Sequence, residues 1–442
     1  MTTSSAARAP IRSAGEAVST AAGWLLRQLM RPEAAFYLAA VGLYLLLRMG
    51  SFVYTPVRVT DTPTYEQVSN ASLFSGAFWT GRRPFTVPLL WKLASDDHAR
   101  IVAQLTLSIV GWLALAAAVA ACIRQRVIAR VAVVLVLLFS ATTEIILWDP
   151  LLLSESVSLS LTALLLAAWL AFVRSPTWVG VAGVLGITLL WTFARDSHAY
   201  VALLTALVVL GSLAQRAHRP LKAALAAGSI VVFVLAVASA NDGLRWYQPM
   251  RDILLNRVAV DPKMQIYFQD RLGPNWRELD ARRVYAKYLL THPGYTLGDP
   301  FYGTQTTPFS STDSASSLLD PDFRIYNDNA ADRALPLPRA VGGLVYPQGK
   351  GTVFTLLLVI VFAAAAVAFR FGVSPPWVVP TVALVSTAPH GLIAYHLSGL
   401  EVDRHALEVA VLLRVGILLL AVFAVDSAVT ALRAKDRLGE RS

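Results

Sequence analysis

Most of the residues in this sequence that could do chemistry fall in four short polar stretches, each set between long apolar runs. The first reads Val57-Arg58-Val59-Thr60-Asp61-Thr62-Pro63-Thr64-Tyr65-Glu66. Asp61 and Glu66 are carboxylates that could take a proton from a hydroxyl nucleophile. The plainer role for Asp61 is electrostatic, at the start of a helix that Thr62 caps and Pro63 opens. Shortly afterwards comes Thr80-Gly81-Arg82-Arg83-Pro84. Paired guanidinium forks suit a phosphate, though they also serve as ordinary anchors to lipid head groups.

The second stretch, Trp148-Asp149-Pro150, leads into Leu151-Leu152-Leu153-Ser154-Glu155-Ser156. Read as a helix starting near residue 151, it places Glu155 about one turn inside an apolar span, where an ionisable residue is costly and marks function by default. Ser154, Ser156, Ser158 and Ser160 could hydrogen-bond there, and a structural interhelical bond accounts for Glu155 equally well. The third stretch is Arg195-Asp196-Ser197-His198. Arg195 could meet a phosphate with Asp196 orienting it, or each could find a salt-bridge partner on a neighbouring helix. The fourth is Glu401-Val402-Asp403-Arg404-His405, preceded by His390 and His396. Histidines and carboxylates ligate divalent metals, but no compact signature such as HExxH is present, and no residue is assigned as a metal ligand. A divalent cofactor stays open.

The elements that must position these residues are helices in lipid. Of 442 residues, 56% are hydrophobic and only 15% charged, against roughly 25% charged in soluble domains. Apolar runs fall near 35–54, 100–122, 131–147, 151–173, 177–194, 199–214, 223–240, 352–371, 377–398 and 407–431, close to the length that crosses a hydrocarbon core. The net charge of +10 sits mainly in short loops, which makes it a topology signal and not a nucleic-acid footprint. Arg124, Arg126 and Arg130, then Arg174, then Arg216, Arg219 and Lys222, then Arg370, and finally Arg433, Lys435, Arg437 and Arg441 follow the even-numbered runs. Both termini are therefore expected in the cytoplasm, with the polar stretches on the outer face. The division predicted is a cytoplasmic segment 1–34, a transmembrane core 35–240 with a first outer loop 55–99, a long outer segment 241–351, C-terminal spans 352–431 and a cytoplasmic tail 432–442.

A surface helix over about 63–78 is expected to lie in the membrane interface through Val68, Leu73, Phe74, Phe78 and Trp79. Within 241–351, apolar spacing predicts helices over 244–258 and 277–290, and the polar, proline-bearing half from Thr304 to Pro338 reads as loop or lid. The single cysteine, Cys122, ends an apolar run and permits no intramolecular disulfide. The preponderance of Arg over Lys, with abundant Ala, Leu and Val, suits a GC-rich bacterial genome such as an actinobacterium's.

These residues resemble the GT-C superfamily of membrane glycosyltransferases, which includes protein O-mannosyltransferases, lipid A aminoarabinose transferases and mycobacterial arabinofuranosyltransferases. The resemblance lies in Asp61 just after the first span, the surface helix and Arg-Arg-Pro that follow, the turn into Leu152-Leu153-Ser154-Glu155-Ser156, and the late Glu401-Val402-Asp403-Arg404-His405. It departs from the family where Asp61 is followed by Thr62 and Pro63 in place of a second acid. The resemblance implies an all-α polytopic fold of about ten spans with juxtamembrane helices. It further implies an inverting sugar transfer from a polyprenyl-phosphate donor to a cell-envelope glycan, lipid or protein at the plasma (inner) membrane, with Asp61 as general base. Glu66, Arg82, Arg83, Glu155, Arg195, Asp196, Asp403, Arg404 and His405 would bind substrate, and Arg82, Arg83, Arg195 and Arg404 would meet the phosphate. Two other classes fit the composition: a transporter or lipid flippase, and a non-catalytic scaffold that binds a partner through 241–351.

Overall fold

The computed structural model describes residues 32–50, 55–278, 280–302, 336–346, 350–399 and 402–439. The chain is a helical membrane protein. Among the described residues the extended structure is an isolated parallel bridge between Val57 and Leu151. Asp97–Cys122, Glu155–Arg174, Arg219–Asp242, Pro375–His396 and Arg404–Asp436 are long and apolar enough to cross a membrane. Ala34–Met49, Trp178–Thr192, His198–Ala214 and Thr355–Phe371 are apolar but shorter. At about 1.5 Å per residue, a 15-residue helix reaches only about 22 Å.

In chain order the helices are α1 (Pro32–Met49), α2 (Thr62–Asn70), α3 (Gly76–Trp79), α4 (Thr86–Lys92), α5 (Asp97–Cys122), α6 (Arg126–Ser140), α7 (Thr143–Ile146) and α8 (Glu155–Arg174). They continue with α9 (Trp178–Thr192), α10 (His198–Gly211), α11 (Arg219–Asp242), α12 (Tyr247–Ile253), α13 (Pro262–Leu272), α14 (Arg282–Thr291) and α15 (Asp299–Tyr302). The last four are α16 (Pro336–Val345), α17 (Lys350–Phe371), α18 (Val378–His396) and α19 (Val402–Gly439). Helix α5 packs along α8, and α19 lies against α6, α8, α17 and α18. Most residues of α8 and of α19 as far as Ala424 are buried, as expected of helices surrounded by other helices.

Three boundaries differ from those the sequence suggested. The expected surface helix is two pieces, α2 and α3. Helix α2 stops at Asn70 because the Lys92 ammonium donates to the carbonyls of Ser69 (2.8 Å) and Ala71 (2.7 Å), satisfying helix-end acceptors from outside. The third apolar run breaks at Ala141, and the chain passes through α7 and an irregular stretch before α8 starts at Glu155. The three-residue turn expected at 148–150 is therefore part of a longer, largely irregular segment. Its backbone is satisfied by main-chain bonds to Val57 and by the Gln104 amide, which donates to the carbonyls of Asp149 and Leu151. The third difference follows from the second: Glu155 is the first residue of α8, not a residue one turn inside it.

A buried ion pair ties this segment to α1. Arg48, fully buried, donates to the Asp149 carboxylate at 2.7 Å, to the Ser140 carbonyl at 2.8 Å and to the Ser108 hydroxyl at 2.6 Å. Asp149 also accepts from the Ser156 hydroxyl at 2.7 Å. The interior charge of Arg414 has a comparable explanation. Its guanidinium donates to the Val345 carbonyl at 2.9 Å, at the C-terminal end of α16, and lies 4.3 Å from the Tyr346 ring. A cation belongs at that end of a helix dipole.

Within 241–351, α12 and the turns after it fall inside the predicted 244–258 and α14 covers the later part of the predicted 277–290, while α13 was not foreseen. Helices α12 to α14 and their connectors enclose a small core of Met250, Ile253, Met264, Phe268, Trp276 and Tyr285, separate from the membrane core. The lid expected from Thr304 to Pro338 lies almost entirely outside the described residues, which resume at Pro336.

Candidate functional site

Asp61 precedes α2 at the capping position, but its side chain makes no capping bond and its backbone is already helical. Thr62, expected as the cap, is the first helical residue. Its hydroxyl accepts from the Val59 amide at 2.9 Å and donates to the Leu152 carbonyl at 3.0 Å. The Asp61 carboxylate is left for other partners. One oxygen accepts from Arg83 Nη2, and the other from Arg404 Nη2 at 2.9 Å. Arg83 is steadied by its Nε bond to the Thr64 hydroxyl at 2.7 Å and by the Tyr65 ring, 4.9 Å away.

From Asp61 a chain of alternating charge runs inward. Arg404 Nε lies 3.2 Å from Glu155 Oε1, and the same oxygen lies 3.3 Å from Arg195 Nη2. Arg195 Nη1 lies 4.0 Å from Glu408 Oε2, which in turn contacts His198 Nε2. Side-chain exposure falls along this path from 24% at Asp61 to 11% at Arg404, 1% at Glu155 and 2% at Glu408. This row of charged side chains, here termed the slot, is partly accessible at Asp61 and buried at its inner members.

Each member has a local reason for its position. Glu155 opens α8, where free amide groups and the helix dipole favour a carboxylate. Arg195 follows the end of α9, and His198 opens α10. Arg404 and Glu408 are four residues apart on α19 and so share a face. His405 turns a ring nitrogen toward Arg195 Nη2 at 2.9 Å, and because a guanidinium only donates, that nitrogen must accept.

The ion pairs differ in kind. Those at Asp61 are aligned hydrogen bonds, whereas Glu155 Oε1 has charge contact with its two arginines but no aligned hydrogen bond. Arg195 Nη1 is buried and has no hydrogen-bond partner among the described residues. A donor in that condition suits an incoming anion. Burial alone would raise the Asp61 carboxyl, but the charges of Arg83 and Arg404 outweigh it and hold it below the usual carboxylate range.

Of the residues singled out in the sequence, Asp61, Arg83, Glu155, Arg195, Arg404 and His405 come together. Three do not join them. Arg82 is exposed and makes no ion pair with these carboxylates among the described residues. Glu66 belongs to a separate surface network with Arg58 and Arg100, which Asp97 completes. Asp196 does not orient Arg195: it receives the Arg245 Nε at 3.0 Å, and Arg245 also donates to the Gly81 carbonyl at 3.0 Å. The side chain of Asp403 lies outside the described residues. Sequence reasoning missed Glu408, which is hidden in an apolar run, and did not weigh His198 beyond its place beside Arg195. The available signal was the four-residue spacing from Arg404.

No family model matches the chain, and no curated protein matches it. Among solved structures, the chain is similar to the archaeal oligosaccharyltransferase AglB from Archaeoglobus fulgidus, determined with an inhibitory peptide and a dolichol-phosphate. The likeness has a TM-score of 0.46 and 11% identity, and covers 92% of this chain. The chain spans about half of that protein, 52% of its length.

Proposed function

We propose that this protein is a polyprenyl-phosphate-dependent glycosyltransferase of the GT-C type, crossing the membrane ten times with both termini in the cytoplasm and the Asp61 slot on the outer face. The observation that carries the reading is the charge chain itself. A partly accessible carboxylate, Asp61, lies between Arg83 on its outer side and Arg404, from which the charges run inward to the buried Arg195. Inverting sugar transfer from a lipid phosphate needs that pairing of one base and several cations.

In this reading Asp61 takes the proton of the acceptor hydroxyl as its oxygen attacks the anomeric carbon. The bond from that carbon to the phosphate oxygen breaks with its electron pair, and the charge on the leaving lipid phosphate falls to Arg404 and Arg195. Donors already in place where charge develops stabilise it without reorganising. The same arginines hold Asp61 low in the resting protein, which makes it a weak base. A donor phosphate competing for Arg83 and Arg404 would relieve that hold, so proton affinity would rise once the donor is bound.

The test is transfer from a panel of labelled polyprenyl-phosphate sugars by purified protein in lipid nanodiscs. Asp61→Asn should lower the rate at saturating donor by about 10²-fold or more. Arg83→Ala should mainly raise the donor concentration needed. Near-normal transfer by Asp61→Asn would remove the base assignment. Wild-type protein that moves the whole lipid across vesicles without transferring its sugar would replace the enzyme reading with a flippase.

A further inference from the structure

Below the arginines, three helices bring together His198 of α10, His390 of α18 and Glu408 of α19. They are 0%, 1% and 2% exposed, and their ligating atoms all lie within 4.8 Å of one another. We infer that these three side chains form a divalent transition-metal site at the floor of the slot.

Hydrogen bonding defines what each group offers. His198 Nδ1 lies 2.7 Å from the Trp191 carbonyl, which accepts only, so that nitrogen carries a proton. The ring also stacks on the Trp191 indole, with centroids 4.1 Å apart and planes 4° from parallel. The other ring nitrogen, Nε2, faces the Glu408 carboxylate in direct contact. A metal ion ligated by both groups would replace any proton they share and hold the two atoms slightly farther apart. A backbone carbonyl holding the far nitrogen is also the usual support for a metal-ligating histidine.

Glu408 is braced in the same manner. The Ser158 hydroxyl donates to Oε1, and the Thr162 hydroxyl, 3.4 Å from the same oxygen, donates to the Ser158 carbonyl at 2.9 Å and accepts from the Trp191 indole at 2.8 Å. Oε2 is left facing the histidines. His390 supplies the independent observation: its Nδ1 is buried and has no hydrogen-bond partner among the described residues. Its ring stands at 80° to that of His198, with centroids 5.9 Å apart. A buried unpartnered imidazole nitrogen costs about 1–3 kcal/mol, and ligation through Nδ1 would remove that cost.

Two imidazoles and one carboxylate form a borderline donor set. It suits zinc or cobalt better than calcium or magnesium, which take oxygen ligands and, for magnesium, keep their waters. Three protein ligands leave one tetrahedral position open. The ion would tie α10, α18 and α19 together where Arg195 approaches Glu408.

The test uses full-length protein in detergent, stripped with a chelator and titrated with Co²⁺ in the absence of any sugar donor, so it does not depend on transferase activity. The expected result is one equivalent bound with the visible bands of a tetrahedral cobalt centre, displaced by Zn²⁺. His390→Gln and Glu408→Gln should each weaken binding by at least about 10-fold, the lower end for loss of even a supporting group. Because either change could unfold the bundle, His390→Cys provides a gain of signal. A thiolate ligand adds a near-ultraviolet charge-transfer band only if residue 390 touches the metal. Wild-type protein without cobalt bands overturns the proposal, as do bands of undiminished strength in folded His390→Gln or a His390→Cys spectrum identical to wild type.

Discussion

Replacing Glu155 by Gln keeps the shape of the side chain and removes the charge that two buried guanidinium groups share. The contacts are 3.2 Å to Arg404 and 3.3 Å to Arg195. At an effective dielectric of about 20, each is a gross attraction of about 5 kcal/mol, most of it offset by the desolvation of the ions. Breaking a buried pair by deleting one partner costs about 3–5 kcal/mol, because the other charge is left uncompensated. The lost favourable interaction with the α8 dipole is smaller, about 0.3–1 kcal/mol, so the two causes separate by size. We expect Glu155→Gln to lose about 3–5 kcal/mol in reversible detergent unfolding, followed by tryptophan fluorescence. Adding Arg195→Met restores charge balance and should recover about 2 kcal/mol. A loss below about 1 kcal/mol, or a double variant no better than the sum of its singles, would refute the reasoning that this carboxylate holds the slot together.

The Arg48–Asp149 pair obeys the same rule without touching the slot. Arg48→Met should cost about 3–5 kcal/mol, while Arg48→Met with Asp149→Leu should cost markedly less, as unfolding midpoints will show. For pH, the depressed carboxyl of Asp61 sets the sign. Its ion pairs stabilise the fold fully above the ordinary aspartate value and lose that contribution as pH falls through its lowered native value. The acid limb of kcat/KM, which reports the free protein, should therefore lie below about pH 4. Replacing Arg404 by Met should move that limb upward, and an unmoved limb in a folded variant would show that another group controls it.

Much of the helical frame was legible because long apolar runs leave a chain few alternatives to helices in lipid. The misreadings came where apolar residues do something else. Leu151, Leu152 and Leu153 look like helix, yet they are buried in an irregular segment whose backbone is bonded by Val57 and Gln104. Those partners lie about 50 to 95 residues away in the chain, and nothing local announces them. The site was half legible for a related reason. Asp61, Arg83, Glu155, Arg195 and Arg404 stand out as charges at the edges of apolar runs. Glu408 and His390 lie inside such runs, and only the three-dimensional packing of α18 and α19 shows that they face His198. Asp196 illustrates the converse error: adjacency to Arg195 suggested a shared role, but its partner is Arg245.

Charge balance in the slot joins these findings. Arg83, Arg195 and Arg404 are matched by Asp61, Glu155 and Glu408, so the buried chain is close to neutral. A lipid phosphate entering it would add negative charge to a line whose three arginines already face three carboxylates. Two changes could offset that charge. A divalent ion at His198, His390 and Glu408 would take up the Glu408 carboxylate and leave Arg195, whose Nη1 already lacks a hydrogen bond among the described residues, without its inner counter-charge. Proton uptake by Asp61 as Arg83 and Arg404 turn to the phosphate would do the same at the exposed end. The second change is also the event that general-base catalysis requires. In the proposed reaction, anion binding at one end of the chain and proton affinity at the other are thus one electrostatic event. Exchanging one arginine of the line for a neutral residue should therefore alter donor binding and the pH dependence of transfer together.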